Sequence, residues 1–362
     1  MPGRLDDQTV ISNLDQRDML GAVELFPEFM RNQLQVSPIG KASRRSVFHS
    51  VVFMGMGGSA SAGDLVLDWL NNEISVPGIV YRDAALPRFV GSDTLFVALS
   101  YSGETRETLA AFREARKRGS TIVAIGTGGK LQVLSEEQGI SFLRVGSAPA
   151  PRAALGQMVA ACAVALHAHG IIQNPMHEIE TAIRELGQLK NRIQRQVPSK
   201  TNPAKLLAIS LKGRLPVIYT FRRMGAVGRR FKNQLAENSK MVAKFAFLPE
   251  AGHNEVEAWS NQDFPLKPIF IRDYSESEFE RTVLESFKST ITKANSVMSA
   301  QVRLRAGSRL GRLLLPVLYT DMVSVYLALL KGVDPTDTPW IRRYRRNSGG
   351  RFTRDGSEGI GR

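Results

Sequence analysis

A chain of 362 residues is longer than one core usually spans, so two domains or one duplicated domain are expected. Hydrophobic residues at 43% and charged residues at 23% are ordinary for a soluble globular protein. The net charge of +14 is a poor argument for nucleic acid, because seven arginines against Asp355 and Glu358 put +5 of it in the tail from Arg342 onward.

The N-terminus, MPGRLDDQTVISNLDQRD, is polar and carries no signal-peptide pattern. The first strand expected is SVVFMGM, followed by the amphipathic helix SAGDLVLDWL. GIVYRDA and TLFVALS read as the next strands, ETRETLAAFREARKRG as a helix and TIVAIGTGG as a fourth strand. A proline-bearing loop, SAPAPR, leads into the apolar helix AALGQMVAACAVALHAHG. Its sixteen-residue apolar run, 153–168, includes Gln157 and His167 and is short for a membrane span, so no membrane is expected. It also holds the single cysteine, Cys162, which can form no internal disulfide and suits a cytoplasmic location.

Residues 175–198 read as a charged helical connector, after which the pattern restarts. LPVIYT, MVAKFAFLP, KPIFIRD and AQVRLRA are the expected strands. GAVGRRFKNQLAENSK, SEFERTVLESFKSTITKANS and LLLPVLYTDMVSVYLALLKG are the expected helices. The fold class is α/β, an internal duplication of two parallel sheets flanked by helices. The expected divisions are an N-terminal helical segment 1–35, a first domain 36–170, a connector 171–199, a second domain 200–345 and a disordered basic tail 346–362.

GMGGSASAGD follows the first strand, and its Gly55, Gly57 and Ala60 match G-x-G-x-x-A. Asp83 lies 28 residues after Gly55 rather than about 20, so the dinucleotide reading is weak. SYSGETRET follows the TLFVALS strand. In a parallel sheet both loops open on one edge, bringing together Gly57, Gly58, Ser59, Ser100, Ser102 and Thr105. Hydroxyls and backbone N–H groups at helix N-termini, without a Walker lysine, suit a compact phosphate dianion. The plainer alternative is N-capping of the two helices by Ser59 and Thr105.

In the second half, Glu237 ends a mostly apolar helix and His253 follows a Pro-Glu-Ala-Gly turn. An acid and a histidine beside a phosphate site suggest proton transfer, as aldose–ketose isomerisation requires. Arg152 is placed to be the cation that stabilises a developing oxyanion. Glu237 and Lys240 could instead form a surface i,i+3 pair, or Lys240 be a plain surface charge. Arg222 and Arg223 read as solvated, Asp321 as a buried structural acid, and Glu250 as neutralising a nearby positive charge. His167 and His169, two apart on a helix, do not form a metal pair.

GMGGSASAGD, SYSGETRET, APRAALG, QLAENSK, PEAGHNEVEAW and LLLPVLYTDMVSVYLALLKGVDPT, in this order, resemble the bifunctional phosphoglucose/phosphomannose isomerases of archaea and some bacteria. The resemblance covers about residues 30–345 and implies two sugar-isomerase (SIS) domains of flavodoxin-like αβα form. It implies Ser59, Ser100, Ser102 and Thr105 on the phosphate of a sugar 6-phosphate, with Gly57 and Gly58 beside them. It implies Glu237 as the base between C1 and C2, Arg152 as the enediolate cation, and His253 as the ring-opening group, reaching in from the partner of a homodimer. It implies no cofactor and no metal. Arg345 stands where the family carries a ring-opening lysine, and Thr338 matches a threonine associated with tolerance of both C2 epimers. The rival readings are a silent SIS sensor of a sugar phosphate and an SIS enzyme of amino-sugar metabolism.

Overall fold

The run SVVFMG is apolar almost throughout, and such a strand has to be covered on both faces. The computed structural model describes residues 2–36, 47–261 and 263–349. Helices α1 (Gln8–Leu14), α2 (Met19–Glu24) and α3 (Phe26–Gln33) come first. The run is then β1 (Ser50–Gly55), buried along its whole length. It joins β2 (Gly78–Tyr81), β3 (Thr94–Leu99), β4 (Thr121–Gly126) and β5 (Ser141–Arg144) in a parallel sheet of order β2-β1-β3-β4-β5. Helices α4 (Gly57–Leu70), α5 (Arg106–Lys117), α6 (Gly129–Glu137) and α7 (Leu155–Ala168) belong to this half. Then α8 (Met176–Ile193) and α9 (Pro203–Leu211) lead to the second sheet.

That sheet holds β6 (Leu215–Thr220), β7 (Lys244–Phe247), β8 (Leu266–Arg272) and β9 (Ala300–Arg303), all parallel, in the order β7-β6-β8-β9. Its helices are α10 (Gly225–Glu237), α11 (Glu278–Asn295) and α12 (Arg309–Lys331), and α13 (Pro339–Gly349) follows. Both sheets wind alike. The first strand of each is flanked by the second on one side and the third on the other. That reversal opens a crevice at the carboxyl ends of the two central strands, where α/β folds place ligands.

The sequence leaves α6 and β5 unexpected, and α9 as well. Helix α6 buries only Leu131 and Ser135 and so shows little apolar period, and β5, SFLR, is a short edge strand. Residues 346–349 form the last turn of α13, and the rest of the expected tail lies outside the described residues.

One apolar cluster joins the two halves, with α4, α7, α8, α10 and α12 between the sheets. Smaller cores lie under α5 and α6 on the first sheet and under α11 on the second. Among the described residues α12 alone is long and apolar enough to cross a membrane, and that apolar stretch is wholly buried in the shared core. The N-terminal segment is tied in by Lys205, fully buried, whose Nζ donates to Leu5 O at 2.8 Å, Asp6 Oδ1 at 3.0 Å and Arg195 O at 2.9 Å.

Within the shared core Arg230 of α10 meets Asp321 of α12, with Nε 3.0 Å from Oδ1. Its Nη2 also donates to the Arg152 carbonyl at 2.8 Å. Burial pushes the Asp321 carboxyl up, and the Arg230 guanidinium pulls it back down. This bears out Asp321 as a buried structural acid. Asp321→Ala strands the buried Arg230 charge, and we expect a loss of about 3–5 kcal/mol of stability in urea denaturation.

Candidate active site

The crevice of the first sheet opens between β1 and β3, and both strands run into helices there. Gly57 begins α4 at φ +52°, a left-handed conformation that glycine adopts without strain. A Cβ on Gly58 would stand 3.2 Å from the Arg152 Cα, so this glycine lets the helix start against the Arg152 backbone. No side chain of its own segment caps α4, whose N-cap residue is Met56, or α5, whose N-cap residue is Thr105. Capping therefore does not account for Ser59 and Thr105.

The hydroxyls bond to one another and to the loops. Ser59 Oγ accepts the Tyr101 N–H at 3.1 Å, and Ser102 Oγ accepts the Glu104 N–H at 3.2 Å. Thr105 Oγ1 accepts from Ser100 Oγ at 2.9 Å. Each of these three oxygens accepts from inside the loops and keeps its own proton to offer. Ser100 is fully buried, and its proton is committed to Thr105. Tyr101 braces the nest against the Arg152 loop, its hydroxyl taking the Ala148 N–H at 2.7 Å. The result is a cluster of outward donors at two helix N-termini, an arrangement that suits a phosphate.

Arg152 leaves the first half in a 3-10 turn, Pro151–Ala154, and is 4% exposed. Nε donates to Asn238 Oδ1 at 2.6 Å, and Nη2 to the carbonyls of Pro335 at 2.6 Å and Thr336 at 3.1 Å. Nη1 stands 3.3 Å from Glu237 Oε2. Burial lowers the proton affinity of Arg152 and the Glu237 carboxylate raises it, and the guanidinium keeps its charge. Glu237 is 27% exposed at the last turn of α10, so its carboxylate is both paired and open to a substrate. Asn238 is oriented in turn by Nδ2, which donates to Ser324 Oγ at 2.8 Å.

Lys240 is no surface partner of the Glu237 carboxylate. Its Nζ donates to three carbonyls, Glu237 at 2.8 Å, Asn238 at 3.2 Å and Asp334 at 2.7 Å. Lys331 Nζ does the same for Ser239 at 2.7 Å and Lys240 at 3.1 Å. Two ammonium groups thus satisfy the free carbonyls at the end of α10. Burial, then the Arg152 charge, pushes Lys240 down to about 8.

Other expected residues lie apart. His253 ends a 3-10 turn after β7 and is exposed. Arg345 is exposed on α13, beside Trp340 and Tyr344 at 73% and 72% exposure. Among the described residues neither His253 nor Arg345 bonds to Arg152 or Glu237. Thr338 precedes α13 and accepts the Arg342 N–H at 3.2 Å. Glu250 accepts from Asn254 Nδ2 at 3.1 Å and neutralises no cation there. Arg222 is solvated, as expected, at 80% side-chain exposure, with one nitrogen 3.3 Å from the buried Asp68; Arg223 is also exposed and pairs with the buried Glu280 at 3.0 Å. His167 and His169 take separate partners, the Ile172 carbonyl and the Phe48 ring.

The matching edge of the second sheet is occupied. After β8 the chain reads DYSESE, with Asp273 where the first half has Ser100 in SYSGET. Arg223 and Arg312 neutralise Asp273, and Arg272 pairs with Glu276 and Glu285. A carboxylate at that turn leaves no place for a phosphate.

Sequence reasoning missed Asn238, Ser324, Lys331 and the Pro335 and Thr336 carbonyls. Only Asn238 carried a signal, as a polar residue closing a buried helix face. The carbonyls carried none.

Two αβα units with one donor nest and an arginine–carboxylate pair at their junction define the class of SIS-domain proteins. Residues 47–164 match the SIS domain model, and residues 200–347 match the bacterial phospho-glucose isomerase C-terminal SIS domain. A bifunctional phosphoglucose/phosphomannose isomerase of Caldicellulosiruptor bescii is 34% identical over 294 residues, 79% of this chain and 85% of the relative. One of Aquifex aeolicus is 33% identical over 300 residues, 82% and 90% of the two chains. A solved glucose-6-phosphate isomerase like protein from Thermus thermophilus shares the fold, with TM-score 0.62 at 19% identity over 94% of this chain and 98% of that one. The chain belongs to the bifunctional phosphoglucose/phosphomannose isomerase family.

The Lys240 site has a pH consequence. A neutral amine has two N–H groups for three carbonyls, so the end of α10 loosens as the proton leaves. Turnover should fall as pH rises through about 8. In Lys240→Met that alkaline limb should be absent from a kcat profile, with kcat low at every pH.

Proposed function

We propose that the chain interconverts glucose 6-phosphate and mannose 6-phosphate with fructose 6-phosphate through a cis-enediolate. The observation that carries this reading is the Glu237–Arg152 pair, set directly beside the donor nest by the Gly58–Arg152 contact. Ser59, Ser102, Thr105 and the first amides of α4 hold the phosphate, and buried Ser100 orients Thr105. The phosphate takes no part in the chemistry. It fixes the sugar so that C1 and C2 lie at Glu237.

Glu237 takes the proton from C2 of the aldose and returns it to C1. Oxidation at C2 balances reduction at C1, so the reaction needs no external electron acceptor. Negative charge gathers on the C1 oxygen in the transition state. Arg152, already desolvated and held by three fixed acceptors, stabilises it without reorganising. The proton is added to one face only, by one carboxylate, so tolerance of both C2 epimers lies with the groups around C2. Thr338 is assigned there by family resemblance. A silent sensor would need neither the base nor its cation, and both are present.

His253 is exposed, and among the described residues it has no hydrogen-bond or ion-pair partner. This fits a ring-opening role in the site of a second copy, with Arg345 binding a hydroxyl. A homodimer follows from that assignment, and light scattering that shows a monomer in an active preparation would remove it.

Fructose 6-phosphate incubated with the protein should give both glucose 6-phosphate and mannose 6-phosphate. Glu237→Gln should abolish that turnover and keep phosphosugar binding. Thr105→Ala should do the reverse, raising KM more than it lowers kcat. Near-normal kcat in Glu237→Gln would overturn the mechanism.

A further inference from the structure

Helix α10 has no side-chain cap of its own, since Met224 stands at its N-cap position. The cap comes from the other half of the molecule. Asp68, near the end of α4, accepts the Ala226 N–H through Oδ2 at 2.7 Å, and its Oδ1 lies 3.3 Å from Arg222 Nη1. A buried carboxylate at a helix N-terminus satisfies a free donor and complements the helix dipole.

The position of this cap matters for the site. Asp68 lies eleven positions after Gly57, and Glu237 lies eleven positions after Ala226. Each interval is an arm of about 16 Å of helix. The two helices pack against each other, and the Asp68–Ala226 bond joins the end of one to the start of the other. They therefore run antiparallel, and the start of α4 meets the end of α10. Those two ends carry the phosphate nest and Glu237.

We infer that Asp68 is a positioning residue, which locks the register of α4 against α10 and so sets the distance from the phosphate nest to the base. The inference rests on the isomerase reading of the site. Because packed helices are rigid along their axes, a slip at Asp68 is carried to the reacting atoms as a shift of the same size. Asp68 touches no substrate in this arrangement.

The charged groups around Asp68 are Asp64 on α4, Arg222 and Arg223 before α10, Arg229 on α10, Asp273 after β8, and Arg309 and Arg312 on α12. Burial pushes the Asp68 carboxyl up to about 6, against the pull of the Ala226 N–H and Arg222. The charged cap is therefore present above that pH and is lost as pH falls through it.

The test compares Asp68→Ala and Asp68→Asn with the wild type, using fructose 6-phosphate turnover and competitive inhibition by inorganic phosphate. Asp68→Ala should lower kcat about tenfold or more while phosphate inhibition is unchanged, because the nest is intact and only its distance to the base has moved. Asp68→Asn keeps an oxygen acceptor for Ala226. It should recover most of kcat, and so should the wild type with Asp68 protonated below about pH 6, because either neutral group still accepts the Ala226 N–H. Wild-type kcat in Asp68→Ala, or equal losses in the two variants, would overturn the lock. If the wild type shows no turnover, the functional reading fails instead. Hydrogen exchange at the Ala226 amide still decides the lock then: faster in Asp68→Ala supports it, and unchanged overturns it.

Discussion

A guanidinium buried at the junction of two half-molecules has to find acceptors on both, and Arg152 is that group. It enters from the end of the first half and takes its acceptors from α10 and from the stretch after α12. Its own carbonyl is held by Arg230, which Asp321 holds in turn. Removing any one of these partners leaves a desolvated charge uncompensated, which costs more than most single contacts contribute. The docking of the two sheets is therefore specified by where this charge can be satisfied. The apolar cluster between them supplies affinity, and the arginine supplies the register.

That arrangement also places the chemistry. Glu237 is the acceptor of Arg152 that is left partly open, so the proposed base and its cation are positioned by the contacts that hold the molecule together. The phosphate nest needs no such network, because adjacent strands of one sheet deliver both its loops. The second sheet repeats the winding but puts Asp273 and its arginines at the corresponding turn. In the proposed reaction the duplicated halves divide the work, one anchoring the anion and the other carrying the base.

The parts of this legible in the sequence were local ones. Strands alternating with amphipathic helices gave the two sheets, and glycines and hydroxyls directly after strands marked the nest. Glu237 and Arg152 could be singled out by residue type and place, with the family resemblance fixing their roles. The remainder depends on partners far apart in the chain. Nothing in LDWLNN announces that Asp68 caps a helix beginning at residue 225. Lys240 reads as a surface charge until its three carbonyls are seen, since backbone acceptors leave no trace in residue identity. Arg222 and Arg223 were read rightly as solvated, but the carboxylates they meet, from α4 and from the segments after β8, were not legible. Helix α6 was lost because it buries only Leu131 and Ser135 and so shows no apolar period.

The tie between Lys205 and the carbonyl of Leu5, with the clamp of Pro335 and Thr336 on Arg152, bears on how the protein is made. During synthesis the first sheet and its helices α4 to α7 are made well before α10 and α12. The N-terminal segment waits for a lysine two hundred residues later, and the arginine waits for carbonyls almost as far beyond it. A chain truncated before Pro335 keeps Asn238 and Glu237 but lacks the two carbonyls that fix Arg152 Nη2. The clamp on Arg152 therefore closes only after the second sheet and α12 have been made.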